Sequence, residues 1–498
     1  MLPSMKILFI SPKYPDTYWS FKHALKFIYK KATNPPLGLL TVASMLPGEW
    51  GKKLIDLNVS VLTDKDILWA DYVFIGAMSI QQESVREVTE RCRTLNRKIV
   101  AGGPLFTGEP ENYVDLVDHL VLNEAEITLP HFLEDLKKGC PEKIYRTDEY
   151  ADIHHSPIPD YSLIHASRYA QLSIQYSRGC PYNCEFCEIT ALLGHRFRTK
   201  STVQIIRELN NIYQTGFRGN VFFVDDNFIG NKKKLKRDLL PAMIRWAEER
   251  GHPFFYTTEA SINLADDPEL MDQMVRAGFV KVFIGIETPD DASLRECDKM
   301  HNLQRDLIHC VNRIQSAGME VAGGFIVGFD NDSPGIFQRQ IDFIQNSGII
   351  TAMVGLLIAP NNTRLYKRLS EEGRILGNSS GNNTGYSMNF IPKMDSELLM
   401  KGYQHIVQNI YSSKAYYERV IRFLKMYKPR IKQQTRVSLR EVMALMRSVL
   451  VLGIINSSRA YYWKLFFWSL VNRPSTFPLA ITYSIYGYHF RKVFRDIN

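Results

Sequence analysis

Three cysteines lie within eight residues of this sequence, at Cys180, Cys184 and Cys187. Their spacing, CxxxCxxC, puts three thiolates in one loop that directly follows a run of strand-forming residues. Three thiolates can bind three irons of a cubane [4Fe–4S] cluster, which leaves the fourth iron open to a small chelating molecule. A zinc site would need a fourth Cys or His, for which His195 is the nearest candidate. Three structural cysteines without a metal are the remaining interpretation.

The rest of the composition narrows the class of protein. With 498 residues the chain is long enough for two or three domains, and its seven cysteines are too few for a disulfide scaffold. No apolar run reaches transmembrane length, and the first residues lack the pattern of a signal peptide. We therefore expect a cytoplasmic protein.

Basic residues are concentrated towards the C-terminus. Residues 411–498 carry sixteen Lys and Arg against three Asp and Glu, a balance of +13, whereas the preceding residues sum to −4. The body of the chain has no charge signature of nucleic-acid binding, so no nucleic-acid partner is expected. The tail interleaves aromatic residues with its cations. That pattern is typical of a helix at a membrane interface, which would make residues 411–498 a peripheral membrane contact. It is equally typical of a helical cap packed on the barrel.

The cysteine loop needs elements to position it, and the hydrophobic pattern predicts two series of them. Residues 1–138 alternate short apolar runs with amphipathic stretches, which predicts an α/β domain with a doubly wound parallel sheet. Ligands of such sheets bind beyond the carboxyl ends of the strands, where this sequence has Ser79, Gly102 and Gly103. The expected strands are Lys6–Ile10, Lys53–Asp56, Tyr72–Ala77, Lys98–Ala101 and His119–Leu122.

The second series follows a linker predicted at 139–170 and extends over residues 171–375. Six βα units fit a partial (β/α)6 barrel of the TIM type, which places its chemistry at the carboxyl ends of the strands. Residues 376–498 are predicted to be mostly helical. The expected barrel strands are Gln171–Gln175, Asn220–Val224, Pro253–Thr257, Val280–Gly285, Glu320–Ile326 and Met353–Leu357.

The cysteine loop, with Phe186 immediately before its last cysteine, resembles the signature of radical S-adenosylmethionine (SAM) enzymes. In that family SAM chelates the open iron, and one-electron reduction of the cluster cleaves SAM to a radical that removes a hydrogen from the substrate. The resemblance makes Cys180, Cys184 and Cys187 the iron ligands and the catalytic centre.

The resemblance continues at the ends of successive barrel strands. It implies that Asp225, Asp226 and Asn227 hold the amino end of SAM and that the segment containing Glu259 contacts its ribose. The remaining implied contacts are made by Gly285 and Glu287, at the end of the fourth strand, and by Ile326, on the strand that meets adenine. Each feature also has an ordinary structural interpretation, since an Asp pair is often a helix cap and glycines often permit a tight turn.

A doubly wound domain ahead of such a barrel is similar to the cobalamin-binding, Rossmann-like domains of one radical SAM subclass. The resemblance implies that the Gly102–Gly103 pair receives the cobalamin nucleotide tail, because glycines allow a close backbone approach. Ser79, at a neighbouring strand end, is a further candidate for cofactor binding. Many of these domains have a His where this chain has Asn58. Cobalamin without a histidine lower ligand is therefore the expected cofactor. A domain that has lost the cofactor is the alternative.

Residues 5 to about 430 resemble the cobalamin-binding radical SAM proteins that include hopanoid 2-methylases. The stretches that carry this resemblance include 18–22, 35–47, 258–264 and 389–392. It implies a methyltransferase acting on an unactivated carbon of a small molecule or membrane lipid, with flavodoxin or ferredoxin as electron donor.

Three alternatives remain at this point. The first is a radical rearrangement, ring-forming or carbon–carbon coupling reaction with an empty N-terminal domain. The second is a tRNA methylthiotransferase, which resembles this architecture but carries three further cluster cysteines where this chain offers only Cys92. The third is a non-catalytic iron–sulfur binding or scaffold protein.

Overall fold

The computed structural model describes residues 4–382, 384–429 and 439–494. Two six-stranded sheets, each entirely parallel, follow one another along the chain, and a helical region follows them. The predicted α/β class, the doubly wound first sheet, the open barrel and the helical end are all confirmed.

The first sheet has the strand order β2-β1-β3-β4-β5-β6. The order reverses between β1 and β3, so their carboxyl ends, at Ser11 and Gly76, border the crevice in which doubly wound sheets bind ligands. The strands are β1 (Lys6–Ser11), β2 (Gly51–Asp56), β3 (Tyr72–Gly76), β4 (Lys98–Gly102), β5 (His119–Val121) and β6 (Ile144–Tyr145).

The sixth strand corrects the interpretation of residues 139–170 as a linker. Leu120 and Val121 pair with Ile144 and Tyr145, so part of that segment completes the sheet. Two residues are too few to show an alternating hydrophobic pattern, which is why the sequence alone missed the strand. The helices of this half are α1 (Lys22–Leu25), α2 (Leu37–Met45), α3 (Asp64–Trp69), α4 (Gln82–Thr94), α5 (Pro104–Gly108) and α6 (Ala125–Lys138).

The second sheet has the order β7-β10-β11-β12-β13-β14, with β7 and β14 at its edges, as in an open barrel. A short antiparallel pair, β8 with β9, brackets the cysteine loop outside this sheet. The strands are β7 (Gln171–Ile174), β8 (Ser177–Arg178), β9 (Arg198–Thr199), β10 (Gly219–Phe223), β11 (Phe254–Glu259), β12 (Phe279–Glu287), β13 (Glu320–Val327) and β14 (Ala352–Leu356).

Five amphipathic helices cover the outside of the barrel sheet and bury their apolar faces against it. They are α8 (Thr202–Gln214), α10 (Leu240–Glu249), α11 (Pro268–Ala277), α13 (Leu307–Ala317) and α14 (Ile336–Ser347). The shorter helices of this half are α7 (Ile189–Leu193), α9 (Lys232–Lys234), α12 (Asp291–Glu296) and α15 (Arg364–Glu371).

The C-terminal helices close the amino-terminal end of the barrel. The Tyr483 hydroxyl donates to Glu320, at the start of β13, over 3.0 Å, and Phe490 stacks on Tyr18 with ring centroids 4.5 Å apart. The helices are α16 (Ser396–Ile410), α17 (Ser413–Met426), α18 (Leu439–Ser448), α19 (Arg459–Asn472) and α20 (Phe477–Val493). Of the basic tail at 411–498, residues 430–438 and 495–498 lie outside the described residues.

The contact between α17 and α20 predicts the effect of one methyl group. A Cβ at Gly487 would overlap the Tyr416 ring, which is buried and fixed by its hydroxyl bond to the Tyr483 carbonyl. We expect Gly487→Ala to lower the free energy of unfolding by about 1–3 kcal/mol, the usual cost of overpacking. Gly38→Ala, in helix α2 with open space around it, is the control and should be neutral or stabilising. Thermal unfolding of both variants tests this; equal melting temperatures would contradict the packing.

Candidate functional site

Asp225 fixes the strand from which the cysteine loop starts. Its buried carboxylate accepts hydrogen bonds from the backbone N–H of Tyr176 over 3.1 Å, and from the backbone N–H and hydroxyl of Ser177. Asp225 lies two residues after the end of β10. The carboxyl end of β10 therefore holds the beginning of the cysteine loop, which follows β7. In this structure, Asp225, which was predicted to bind SAM, holds the start of the cysteine loop by hydrogen bonds.

The loop itself is held at both ends while its thiols stay partly exposed. The Cys180 N–H donates to the Gly194 carbonyl over 3.2 Å, and the Cys187 N–H donates to the Cys184 carbonyl over 3.1 Å. All three cysteines are of intermediate exposure. Between them, buried Glu185 forms a two-pronged ion pair with Arg368, at 2.8 and 3.0 Å, which anchors the loop to helix α15.

Lys299 brings a positive charge to the cysteines. Its largely buried ammonium lies 2.7 Å from the Glu287 carboxylate and 6.0 Å from the centroid of the Phe186 ring. Burial raises the pKa of all three thiols, that of Cys187 to about 12, and the Lys299 charge partly opposes this effect at each of them. A cation at this place favours the thiolates that iron binding requires.

The position of Glu287 explains two further predicted residues. Glu287 ends β12 in the left-handed region, with φ of 63°, and a register shift separates it from Gly285. A Cβ at Gly285 would overlap the Glu287 carboxylate and lie 2.8 Å from the Lys299 ammonium, so this glycine makes room for the ion pair. Strained conformations of this kind cluster at functional sites.

Carboxylates gather at the next strand ends. Asp226 and Glu259 are half-buried. Burial raises the pKa of Asp226 to about 6, and burial together with repulsion from Asp226 and Asp225 raises the pKa of Glu259 to about 8. Asn227 accepts hydrogen bonds from the Ser261 N–H and hydroxyl. Ile326 packs in the same apolar cluster as Phe186. The structure thus brings all of the predicted barrel residues to one mouth.

Buried ion pairs join this mouth to the first sheet. Arg178, two residues before the first cysteine, makes a two-pronged pair with Glu126 at 2.8 and 3.0 Å. Arg198 makes a similar pair with Glu124 at 2.6 and 2.7 Å. Glu124 and Glu126 stand at the beginning of α6, while the two arginines face each other in the β8–β9 pair.

The carboxyl ends of the two sheets face each other. Asn361, in the loop after β14, donates to the buried Glu109 over 3.2 Å, and Asn362 donates to the Gly108 carbonyl over 3.3 Å. A Cβ at Gly108 would lie 3.5 Å from a carboxylate oxygen of Glu188, which directly follows the last cysteine. Helix α5, which starts after the Gly102–Gly103 pair, therefore ends beside the cysteine loop.

The predicted residues of the first sheet have local roles as well. A Cβ at Gly102 would lie 2.5 Å from the Val121 carbonyl, and Gly103 has φ of 97°. Ser79 is half-buried, and Gly381 lies against it from the barrel side. The side-chain amide of Asn58 is fully used in local hydrogen bonds: it donates to the Asp56 carboxylate and the Pro12 carbonyl and accepts from the Tyr14 N–H over 2.9 Å.

Sequence reasoning missed Lys299, both arginines and their glutamates. A single Lys or Arg in an irregular segment carries no pattern, and only the distances reveal its partner. Within the described ranges, no three His, Cys, Asp or Glu side chains converge closely enough to hold a single metal ion. A cubane needs wider spacing, because each thiolate binds a different iron.

The sequence of this chain is similar to those of known proteins. The family described as "Radical SAM superfamily" matches residues 174–344, and a domain of unknown function, DUF4070, matches residues 363–498. A Synechocystis protein named as an uncharacterized methyltransferase is 39% identical over 99% of this chain and 92% of its own length. The hopanoid C-2 methylase of Rhodopseudomonas palustris is 32% identical over 93% of this chain and 88% of its own.

The chain belongs to the radical SAM methyltransferases. The predicted resemblance to the group that includes hopanoid 2-methylases is confirmed, and with it a [4Fe–4S] cluster and SAM as cofactors. The cobalamin-dependent SAM radical enzyme OxsB, whose structure contains aqua-cobalamin and SAM, superposes with a TM-score of 0.64. At 16% identity, over 99% of this chain and 80% of that one, it shows a shared fold.

The cysteine loop predicts a complete dependence on each thiol. Replacing Cys180, Cys184 or Cys187 with Ala removes one of three iron ligands, so we expect near-total loss of 5′-deoxyadenosine formation from SAM. Cys140→Ala, at an exposed site, and Cys310→Ala, on helix α13, are matched controls that should retain activity. Iron content and 5′-deoxyadenosine are measured after anaerobic reconstitution. Substantial activity in any loop variant would exclude this site.

Two adjacent aspartates should fail in different ways. Asp225→Asn puts a donor where Tyr176 and Ser177 offer donors, so we expect the loop to shift and the cluster to be lost. Asp226→Asn should keep the cluster and weaken SAM binding by about tenfold, through loss of one charge-assisted hydrogen bond. Iron analysis and equilibrium dialysis with SAM separate the two. Loss of iron in both variants would make Asp226 structural.

Proposed function

We propose that this chain is a cobalamin-dependent radical SAM methyltransferase that methylates an unactivated carbon of a membrane lipid, such as a hopanoid. The observation that carries the proposal is the facing of the two carboxyl-end edges. The first sheet's carboxyl-end edge contacts the barrel's at Gly108 and Glu109, beside the cysteine loop. A substrate there would be in reach of groups bound to either edge.

The barrel residues fit a cluster and SAM. Three partly exposed thiols provide the iron ligands, and the Lys299 charge favours their deprotonated form. The half-buried carboxylates of Asp226 and Glu259 suit the amino group and ribose hydroxyls of SAM, which donate hydrogen bonds. Phe186 and Ile326 supply an apolar wall. The Glu287–Lys299 ion pair offers one charge of each sign beside the cysteines.

The first sheet fits a cobalamin that has no protein ligand from position 58. The side-chain amide of Asn58 is engaged in hydrogen bonds with Pro12, Asp56 and Tyr14, so it is not placed to act as a metal ligand. A Cβ at Gly103 would lie 3.2 Å from the Ala77 carbonyl, so this glycine lets the segments after β3 and β4 approach closely. A cleft of about 690 Å³ lies between Ile80 and Arg86 on one side and Tyr386 on the other. Because Gly381 lies against Ser79, a cofactor contact at Ser79 requires the segment around Gly381 to shift.

Once bound, the cobalamin would relay a methyl group from one SAM while the cluster would reductively cleave a second SAM to start hydrogen removal. The residues of this chain hold these groups, orient them and exclude water from the space between the edges. Reduction needs an external one-electron donor, which we propose is a flavodoxin or ferredoxin. We also propose that the enzyme works in the cytoplasm, peripherally on the cytoplasmic face of a membrane.

The proposal of a lipid substrate rests on the names of two relatives of this chain. One relative is named a hopanoid C-2 methylase, and a second, from Methylococcus capsulatus, a hopanoid C-3 methylase that is 26% identical over 60% of this chain. Both names describe methylation of a polycyclic lipid. The sequence similarity brings that substrate class to this chain as a proposal.

The reaction predicts two co-products from SAM. With a reductant, cobalamin and a lipid extract, the enzyme should form S-adenosylhomocysteine and 5′-deoxyadenosine together with a lipid heavier by one methylene. Mass spectrometry of the products checks this, and a Cys184→Ala variant is the control that should form no 5′-deoxyadenosine. Formation of 5′-deoxyadenosine alone, with no cobalt retained by the protein, would favour the alternative of another radical reaction with an empty first sheet.

A further inference from the structure

An exposed apolar surface lies on the helices that follow residue 438. Helix α18 continues through a π-helical segment to Ile455, and apolar side chains recur every four residues along it. Four of them are 40–68% exposed: Val442, Met446, Leu450 and Ile454. Residues spaced by four share one face of a helix, so these side chains form a stripe.

Helix α19 widens the stripe. Trp463 packs on the π-helical segment, where its indole N–H donates to the Gly453 carbonyl over 2.9 Å. Phe467 stacks on Trp463 with ring centroids 5.6 Å apart and is 57% exposed, which puts it beside the stripe. Leu470 and Val471, on the same face as Phe467, are 47% and 77% exposed. We call these seven exposed residues the hairpin face.

The hairpin face differs from the surface that the aromatic pattern suggests. Trp463, Phe466 and Trp468 are partly buried and pack against the core, so they hold the hairpin together. Six of the seven exposed residues are aliphatic, and four of the seven stand on α18 and its π-helical continuation, which lack the aromatic pattern. The folded structure therefore already presents an apolar face, so a binding partner would not have to induce it.

The charges around this face are mainly positive, with Glu441 on α18 and Asp16, which pairs with Lys22, as the acidic exceptions. From Val442 to Phe494 the sequence has six Lys and Arg and no Asp or Glu. Arg459 and Lys464 are exposed on the hairpin. At its side, the Arg447 guanidinium lies 4.9 Å from the ring of Tyr29, which is 60% exposed. The segment that carries Tyr29 adds three exposed lysines, Lys22, Lys26 and Lys31.

An apolar face with a mainly cationic rim fits an anionic lipid surface. Aliphatic side chains enter the region between headgroups and acyl chains, while Lys and Arg bind lipid phosphates. A protein partner would have to be strongly acidic to match the same rim. None of the helices in the described ranges combines the length and apolar character needed to traverse a bilayer, so the contact would lie in the plane of the surface.

We infer that the hairpin face docks this protein on an anionic membrane. The inference deepens the proposed function and rests on it for the lipid substrate, although the surface is argued from exposure and charge alone. Docking would hold the enzyme on the bilayer in which a lipid substrate resides. It needs neither cofactor, so the two proposals can be tested separately.

Vesicle flotation tests the docking. The full-length protein should float with vesicles of phosphatidylglycerol and phosphatidylcholine, less so at high salt, and should stay at the bottom with phosphatidylcholine alone. The double variant Leu450→Ser/Phe467→Ser should lose at least about tenfold in bound fraction. Val61→Ser/Val203→Ser, at sites 83% and 59% exposed elsewhere, is the matched control and should float as the unmodified protein does.

Three results would overturn the inference. The first is a full-length protein that never floats, and the second is a hairpin variant that floats normally. The third is a full-length protein that sediments as a dimer while the hairpin variant sediments as a monomer, which would make the face a contact between two copies. SAM cleavage measured on the same variants separates this proposal from the proposed function. Normal flotation without methyl transfer would reject the reaction and leave the docking in place.

Discussion

The paired glutamates at the start of α6 and the two arginines of the β8–β9 pair are the interaction on which the geometry of the site depends. Arg178 and Arg198 are only 13% and 10% exposed, and each makes two hydrogen bonds to one carboxylate. Burial alone raises the pKa of Glu126, but the Arg178 guanidinium outweighs it and lowers that pKa to about 2. Removal of one partner would leave a buried charge, at a cost of about 3–5 kcal/mol.

These ion pairs couple two sheets that would otherwise be independent. Parallel sheets bind ligands at their carboxyl ends, and each sheet supplies half of the candidate site. The pairs attach the first sheet to the residues immediately before Cys180, so the orientation of the sheets is set at the iron-binding loop itself. The Asn361 and Asn362 bonds to Glu109 and Gly108 close the same space from the far side of the barrel.

The opposite end of the barrel is closed by aromatic packing. Helix α20 and the segment around Tyr18 fill it, with the Tyr483 hydroxyl on Glu320 and Phe490 on Tyr18. The barrel mouth at the carboxyl ends is thus left for cofactors and substrate. Much of the aromatic content of the tail serves this closure. The surface that faces outwards is a separate one, on α18 and α19.

The sequence by itself determined the elements and the family. Strands β1 to β5 and the six barrel strands lie within about two residues of their predicted bounds, because a short apolar run is a local property of the sequence. The cysteine spacing indicated the cluster for the same reason, since its three ligands are close in the chain. The two-residue strand β6 was beyond this kind of reasoning, because it is too short to carry a period.

Only the tertiary structure decided which distant residues meet. The pairs Glu287 with Lys299 and Glu126 with Arg178 join residues 12 and 52 positions apart, and no local pattern marks a lone cation as a partner. Asp225 illustrates the same limit, since its position at a strand end was predicted but its bonds to Tyr176 and Ser177 were not. The exposure of Leu450 and the burial of Trp463 were likewise undecided, because which face of an apolar helix meets water depends on what packs against it.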